Sequence, residues 1–160
     1  SDHYTAMLRR NYISMHAAVL YRRAVLEETA GFDSRLNALE DYDLYLRVTR
    51  THPVACHDRV VAQYRRHPAA MSRDMLNMLR MALFVLHEQR PYLAGHAGAT
   101  EAYEEGRTFW KRHYGKQLIR SVPSHLAAGR LRKAGSACLW PVALAVGGEP
   151  RAPVTLGGAA

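Results

Sequence analysis

Gly31-Phe32-Asp33-Ser34-Arg35-Leu36-Asn37-Ala38-Leu39-Glu40-Asp41-Tyr42-Asp43-Leu44-Tyr45-Leu46-Arg47 is the stretch on which the reading of this chain turns. Gly31 to Ser34 has the composition of a turn, and Gly31 stops a short helix expected over 22–30. Asn37 and Glu40 have the spacing of a helix-opening capping pair. From Glu40 to Arg50 the apolar residues recur at helical spacing. Leu39, Tyr42 and Leu46 share one stripe, with Leu44 and Val48 beside it. Asp41 falls in the first turn of that helix, where the partial positive charge of the N-terminus favours an ionised carboxylate.

Upstream, Met15, Ala17 and Val19 alternate with Ser14, His16 and Ala18, which predicts a strand over 13–20. Downstream, His52-Pro53 ends the helix, and short strands are expected at 54–57 and 60–64. Pro68 marks the next boundary. From Ser72 onward the pattern is helical, with Leu76, Leu79, Leu83 and Leu86 on one face and Met75, Met78, Ala82 and Val85 widening it. A Gly/Ala-rich break at 91–100 precedes a helix over 101–114 that carries Tyr103, Phe109, Trp110 and Tyr114. Further helical sequence is expected to be broken at Pro123 and Gly129. Packing is the simplest role for the Met-rich face and for the aromatic set.

The chain has 160 residues, about half of them hydrophobic, which suits one soluble globular core. The formal net charge of +8 favours anionic partners. The cations come in short pairs such as Arg9-Arg10, Arg22-Arg23 and Arg65-Arg66, with no run of five, so a basic nucleic-acid arm is unsupported. Cys56 and Cys138 form no CxxC, and two free buried thiols are the simpler expectation beside a single disulfide. No apolar run approaches the ~20 residues of a membrane span. The N-terminus has no apolar leader and no initiator Met, so the chain is expected to begin inside a longer reading frame.

The stretch 11–72 resembles family 2 glycosyltransferases. Four elements come in that family's order: Asn11-Tyr12-Ile13 with Leu20-Tyr21-Arg22-Arg23; Gly31-Phe32-Asp33; Glu40-Asp41-Tyr42-Asp43-Leu44-Tyr45-Leu46-Arg47; and Tyr64-Arg65-Arg66-His67-Pro68 with Ser72. The resemblance implies a partial GT-A type α/β domain with mixed strands and helices over 1–70. A helical extension over 71–146 and a disordered tail over 147–160 follow. It implies inverting transfer of a sugar from a nucleotide-sugar donor to a glycan or lipid-linked acceptor, on the cytoplasmic side or at the inner face of a membrane. Asp41 would be the general base, and Glu40 a neighbour that contacts the acceptor or orients the loop; simple first-turn acids would look the same.

By the same resemblance Asp33 either binds the acceptor or caps the turn after Gly31. Arg65 and Arg66 would meet the donor diphosphate, although alternation along a strand lets at most one of them face it. His67 would join a divalent metal, Mn²⁺ or Mg²⁺, whose other ligands belong to the family's DxD motif. Asp41-Tyr42-Asp43 has the DxD pattern but stands where the family places its catalytic Glu-Asp. The DxD and the donor-binding half would therefore lie upstream of Ser1, and these 160 residues alone are expected to be inactive. A reading from another class is a small basic module that binds nucleic acid, another anion or a membrane surface.

Overall fold

The computed structural model describes residues 2–13, 15–63 and 74–145. Its helices, in chain order, are α1 (His3–Arg9), α2 (Arg23–Glu28), α3 (Glu40–Thr51), α4 (Met75–Glu88), α5 (Ala99–Ala127) and α6 (Leu131–Ala145). Among the described residues, the 3-10 turns His16–Ala18 and Arg90–Gly95 lie between helices. Among the described residues there is no strand, so the expected α/β domain with mixed strands is incorrect. Met15 and Val19 do have extended backbone, but between them the chain tightens into the 3-10 turn. Among the described residues, 53–63 pair with no neighbour. An extended segment becomes a strand only when an adjacent chain takes its N–H and C=O groups, and among the described residues none does.

Helix α1 was not foreseen. Asp2 caps it by accepting from the backbone N–H groups of Tyr4 and Thr5 at 3.0 and 3.3 Å. Tyr4, Met7 and Leu8, at i, i+3 and i+4, are fully buried. Seven residues cannot hold a helix alone; α1 persists because it packs in the angle between α3 and α5. The core is built from α1, α3, α4 and α5, with Tyr42, Leu46, Leu79, Leu86, Ala102 and Trp110 among its members. The Met-rich face of α4 and the aromatic residues Tyr103, Trp110 and Tyr114 are indeed packed inside.

Two hydrogen bonds show how closely the helices are fitted. The buried Tyr42 hydroxyl donates to the Met7 carbonyl at 2.9 Å, and Trp110 Nε1 reaches the same hydroxyl at 3.5 Å. The Met7 carbonyl is one of the last four of α1, which have no intrahelical donor, so α3 satisfies an end group of α1. Gly106 of α5 lies directly under the next carbonyl: a Cβ there would sit 2.0 Å from the Leu8 oxygen.

Three local expectations need correction. Asn37 does not cap α3; its Oδ1 accepts from Asn77 Nδ2 at 3.1 Å, and α3 opens from Leu39 without a side-chain cap. Pro123 does not break α5, which runs on to Ala127. The ring costs one intrahelical bond at Ile119, and α6, packed along α5, holds the helix across that gap. Gly129, at φ 66°, ends it: the N–H groups of Gly129 and Arg130 bond to the carbonyls of Leu126 and His125. Cys56 and Cys138 are free, as expected, but both are exposed and not buried.

Gly106→Ala tests the α1–α5 contact. Alanine favours a helix over glycine by about 1 kcal/mol, so an open site would gain stability. Here the methyl meets backbone, and urea denaturation is expected to show a net loss of about 1–3 kcal/mol.

Candidate functional site

The site begins with two turns in left-handed backbone. Helix α2 closes with Ala30 at φ 57° and Gly31 at φ 62°. The Gly31 N–H bonds to the Leu26 carbonyl at 2.9 Å, and the Ala30 N–H to that of Glu27 at 3.3 Å. Leu39, the residue before Glu40-Asp41, sits at φ 60°, ψ 24°. A branched side chain in that region costs about 1–2 kcal/mol, which the surrounding packing must hold in place. The chain thus turns abruptly into α3, with its first carboxylates at the bend.

Asp41 and Asp43 stand two residues apart on α3, about 200° around the helix, and their surroundings differ accordingly. Asp43 is buried and pairs with Arg47 one turn later, at 2.7 Å to Nη2 and 2.8 Å to Nε. The rest of the Arg47 guanidinium donates to the carbonyls of Thr29 and Gly31. Those carbonyls belong to the turn that carries Phe32 and Asp33. One arginine therefore neutralises a buried acid and pins the turn to α3.

Asp41 faces a different group. Its Oδ1 accepts the Tyr42 backbone N–H at 2.7 Å. Around it lie aromatic rings: His16 stacks between Tyr21 and Tyr45 with centroids at 5.7 and 6.1 Å, and meets the edge of Phe32 at 5.2 Å. His16 Nδ1 lies 3.2 Å from the Tyr45 hydroxyl. The Tyr21 hydroxyl is buried and has no hydrogen-bond partner among the described residues. Burial pushes the Asp41 carboxyl above its ordinary range; Glu40 adds to the shift, while the Tyr42 N–H and His16 oppose it. The phenols respond in kind. Burial, then the Asp41 charge, push Tyr21 and Tyr114 each up to about 12, and Tyr45 rises for the same two reasons.

Asp33 sits elsewhere, on a cleft of about 460 Å³ lined also by Phe32, Arg35, Arg47, Arg50, Glu88 and Tyr92. Arg35 grips Asp33 through Nη2 at 2.7 Å and reaches Glu88 at 3.1 Å. The hydrogen bonds from Arg35 hold the Asp33 carboxyl below its usual range. Arg50 Cζ lies over the Tyr92 ring, 3.5 Å from its centroid, and Nη1 donates to Gln89 Oε1 at 3.2 Å.

Of the expected site residues, Glu40 and Asp41 come together at the head of α3, and Asp33 lines the separate cleft. Arg65, Arg66 and His67 lie outside the described residues. Among the described residues no three His, Cys, Asp or Glu side chains converge as a metal-holding group. Asp41-Tyr42-Asp43 does not supply one: Asp41 and Asp43 point to different sides of α3, and Arg47 holds Asp43 through Oδ2. Sequence reasoning missed Tyr21 and Tyr45 and placed His16 at a strand. One signal was present: Tyr45 follows Asp41 by four residues and so shares its face of the helix. No family model matches this chain, and neither a curated protein nor a solved structure matches it.

Two outcomes follow. Arg47→Ala leaves Asp43 buried without its counter-ion and frees the turn, so denaturation should show a loss of about 3–5 kcal/mol. Arg47→Lys should recover only part, since one ammonium cannot reach the carboxylate and both carbonyls. For Asp41 the sign is opposite. Its folded-state pKa lies above the unfolded one, so the native state binds the extra proton. Stability falls as pH rises between the two values and stays lower above them. Asp41→Asn should therefore raise Tm at pH 7, and the gap should close on acidification through the Asp41 titration.

Proposed function

We propose that this chain carries the acceptor-side chemistry of an inverting glycosyltransferase of the family 2 kind, with Asp41 as the general base. The observation that carries this reading is the buried Tyr21 hydroxyl, without a partner among the described residues, beside an Asp41 carboxyl of raised pKa. A buried phenol left unpaired is costly, and a polar group brought to Asp41 would satisfy it. An acceptor hydroxyl is such a group. It can donate to the Asp41 carboxylate and accept from Tyr21.

In the transfer itself, the acceptor oxygen forms its bond to the anomeric carbon of the donor. The bond from that carbon to the nucleoside diphosphate breaks, and the acceptor proton goes to Asp41. A base whose pKa sits above the ordinary carboxylate range takes this proton more readily, provided it is ionised at working pH. Glu40 and the N-terminal end of α3 act in opposite directions on that charge. Tyr45 and His16 hold the aromatic wall against which an acceptor ring could lie.

The proposal concerns chemistry at the head of α3. It does not depend on an α/β architecture, and no step in it runs through a metal. Arg65, Arg66 and His67 are proposed for the donor diphosphate and its Mn²⁺ or Mg²⁺ on the sequence resemblance alone.

Asp41→Asn, assayed in the full-length protein, should lower transfer by more than about a hundredfold while acceptor affinity stays within about twofold. The acid limb of kcat/KM in the parent should lie above the ordinary carboxylate range and follow the Asp41 titration measured by NMR. Transfer by the Asn variant within about tenfold of the parent, a barrier change of only about 1.4 kcal/mol, would remove Asp41 from this role.

A further inference from the structure

The net charge of +8 is not spread along the chain. Residues 1–105 hold 13 Arg and 13 Asp or Glu, and so balance. Residues 106–148 hold eight Arg or Lys and no acid, and residues 149–160 hold one of each. The whole excess therefore lies on the second part of α5, on α6 and on the turn between them. Composition alone, read as short dispersed pairs, hid this segregation.

The same hairpin exposes large aliphatic side chains. On α5, Arg112, Lys116, Ile119 and Leu126 follow one another at spacings of four, three and seven, which places them on one face. Ile119 is 58% exposed and Leu126 53%. Past the Gly129 turn, α6 opens with Leu131-Arg132-Lys133, and Leu131 is 70% exposed. An adjacent side of α6 packs inward through the small residues Ala134 and Ala137. The tip of the hairpin thus presents Leu126 and Leu131 to water, flanked by Arg130, Arg132 and Lys133.

Exposed aliphatic groups interleaved with cations suit the surface of an anionic bilayer. The cations meet lipid phosphates, and the aliphatic groups enter the boundary between headgroups and acyl chains. A nucleic acid would engage the cations and leave the leucines in water. No helix among the described residues is long and apolar enough to cross a membrane, so the contact would be peripheral. We propose that the tip of the α5–α6 hairpin docks on an anionic lipid surface through Leu126 and Leu131 with Arg130, Arg132 and Lys133.

The test is co-sedimentation of the chain with vesicles of phosphatidylcholine, alone or mixed with phosphatidylglycerol. Binding is expected to the mixed vesicles only, and to fall with added salt. Each cation near such a surface contributes about a fivefold factor, so the triple variant Arg130→Gln, Arg132→Gln, Lys133→Gln should lower partitioning by about a hundredfold. Leu126→Ser with Leu131→Ser should lower it by about tenfold at unchanged charge. All five residues are exposed, and matching thermal melts would show that the variants fold. Equal binding to neutral vesicles, or variants within about twofold of the parent, would overturn the proposal. So would a serine variant that keeps full vesicle binding while the glutamine variant loses vesicles and duplex DNA alike, because the hairpin would then be a general anion surface. None of these readouts involves Asp41.

Discussion

Everything at the head of α3 depends on how closely the end of α1 approaches α5. Helix α1 has only seven residues and no independent stability. It is held because the Leu8 carbonyl can settle onto Gly106 of α5, while the preceding carbonyl is taken by the Tyr42 hydroxyl. Were either group different, α1 would stand off by the width of a methyl or carry an unsatisfied buried carbonyl. Tyr42 is also the residue after Asp41. The bond that closes the core therefore fixes the rotation of α3 and hence the direction in which Asp41 points.

That rotation divides two similar acids between two kinds of surroundings. Asp43 is turned toward Arg47 and serves the architecture. Its counter-ion is internal, and the guanidinium spends its remaining donors on backbone carbonyls. Asp41 is turned toward phenols, an imidazole and a backbone N–H, and among the described residues no guanidinium bonds to it. The exposed Arg35 fork to Asp33 and Glu88 contributes little by comparison, since solvent screens it. Burial pushes both carboxyls above their ordinary range, but at Asp43 Arg47 opposes that shift and occupies the carboxylate, so Asp41 is the one left open to another partner.

The helical part of the fold was legible because periodicity is written in the residues themselves: Leu79, Leu83 and Leu86 announce α4, and Tyr42 and Leu46 announce α3. The strands were not legible, because alternation such as Met15-His16-Ala17 describes a half-buried extended segment whether or not a partner exists to pair with it. The pairing is a property of the neighbours, which local pattern does not contain. Helix α1 carried its cap, Asp2, and its buried triplet in plain view, but seven residues give too little periodicity to separate from chance. Within the site, Glu40 and Asp41 were identified by their neighbours in sequence. Tyr21 and His16 could not be, since they reach Asp41 only through a fold in the chain. The packing of Trp110 was legible from its type; the closeness required at Gly106 was not.

Helix α5 spans 29 residues without interruption and touches both ends of the molecule's chemistry. Tyr114 stands within electrostatic range of Asp41, and Leu126 lies 12 residues further along the same rod. At 1.5 Å per residue that interval is about 18 Å along the axis. If the hairpin rests on a bilayer, α5 becomes a measuring stick. An acceptor anchored in lipid would have to lift its reacting hydroxyl through that height, which a bare headgroup cannot do and an anchor already extended by a few sugars can.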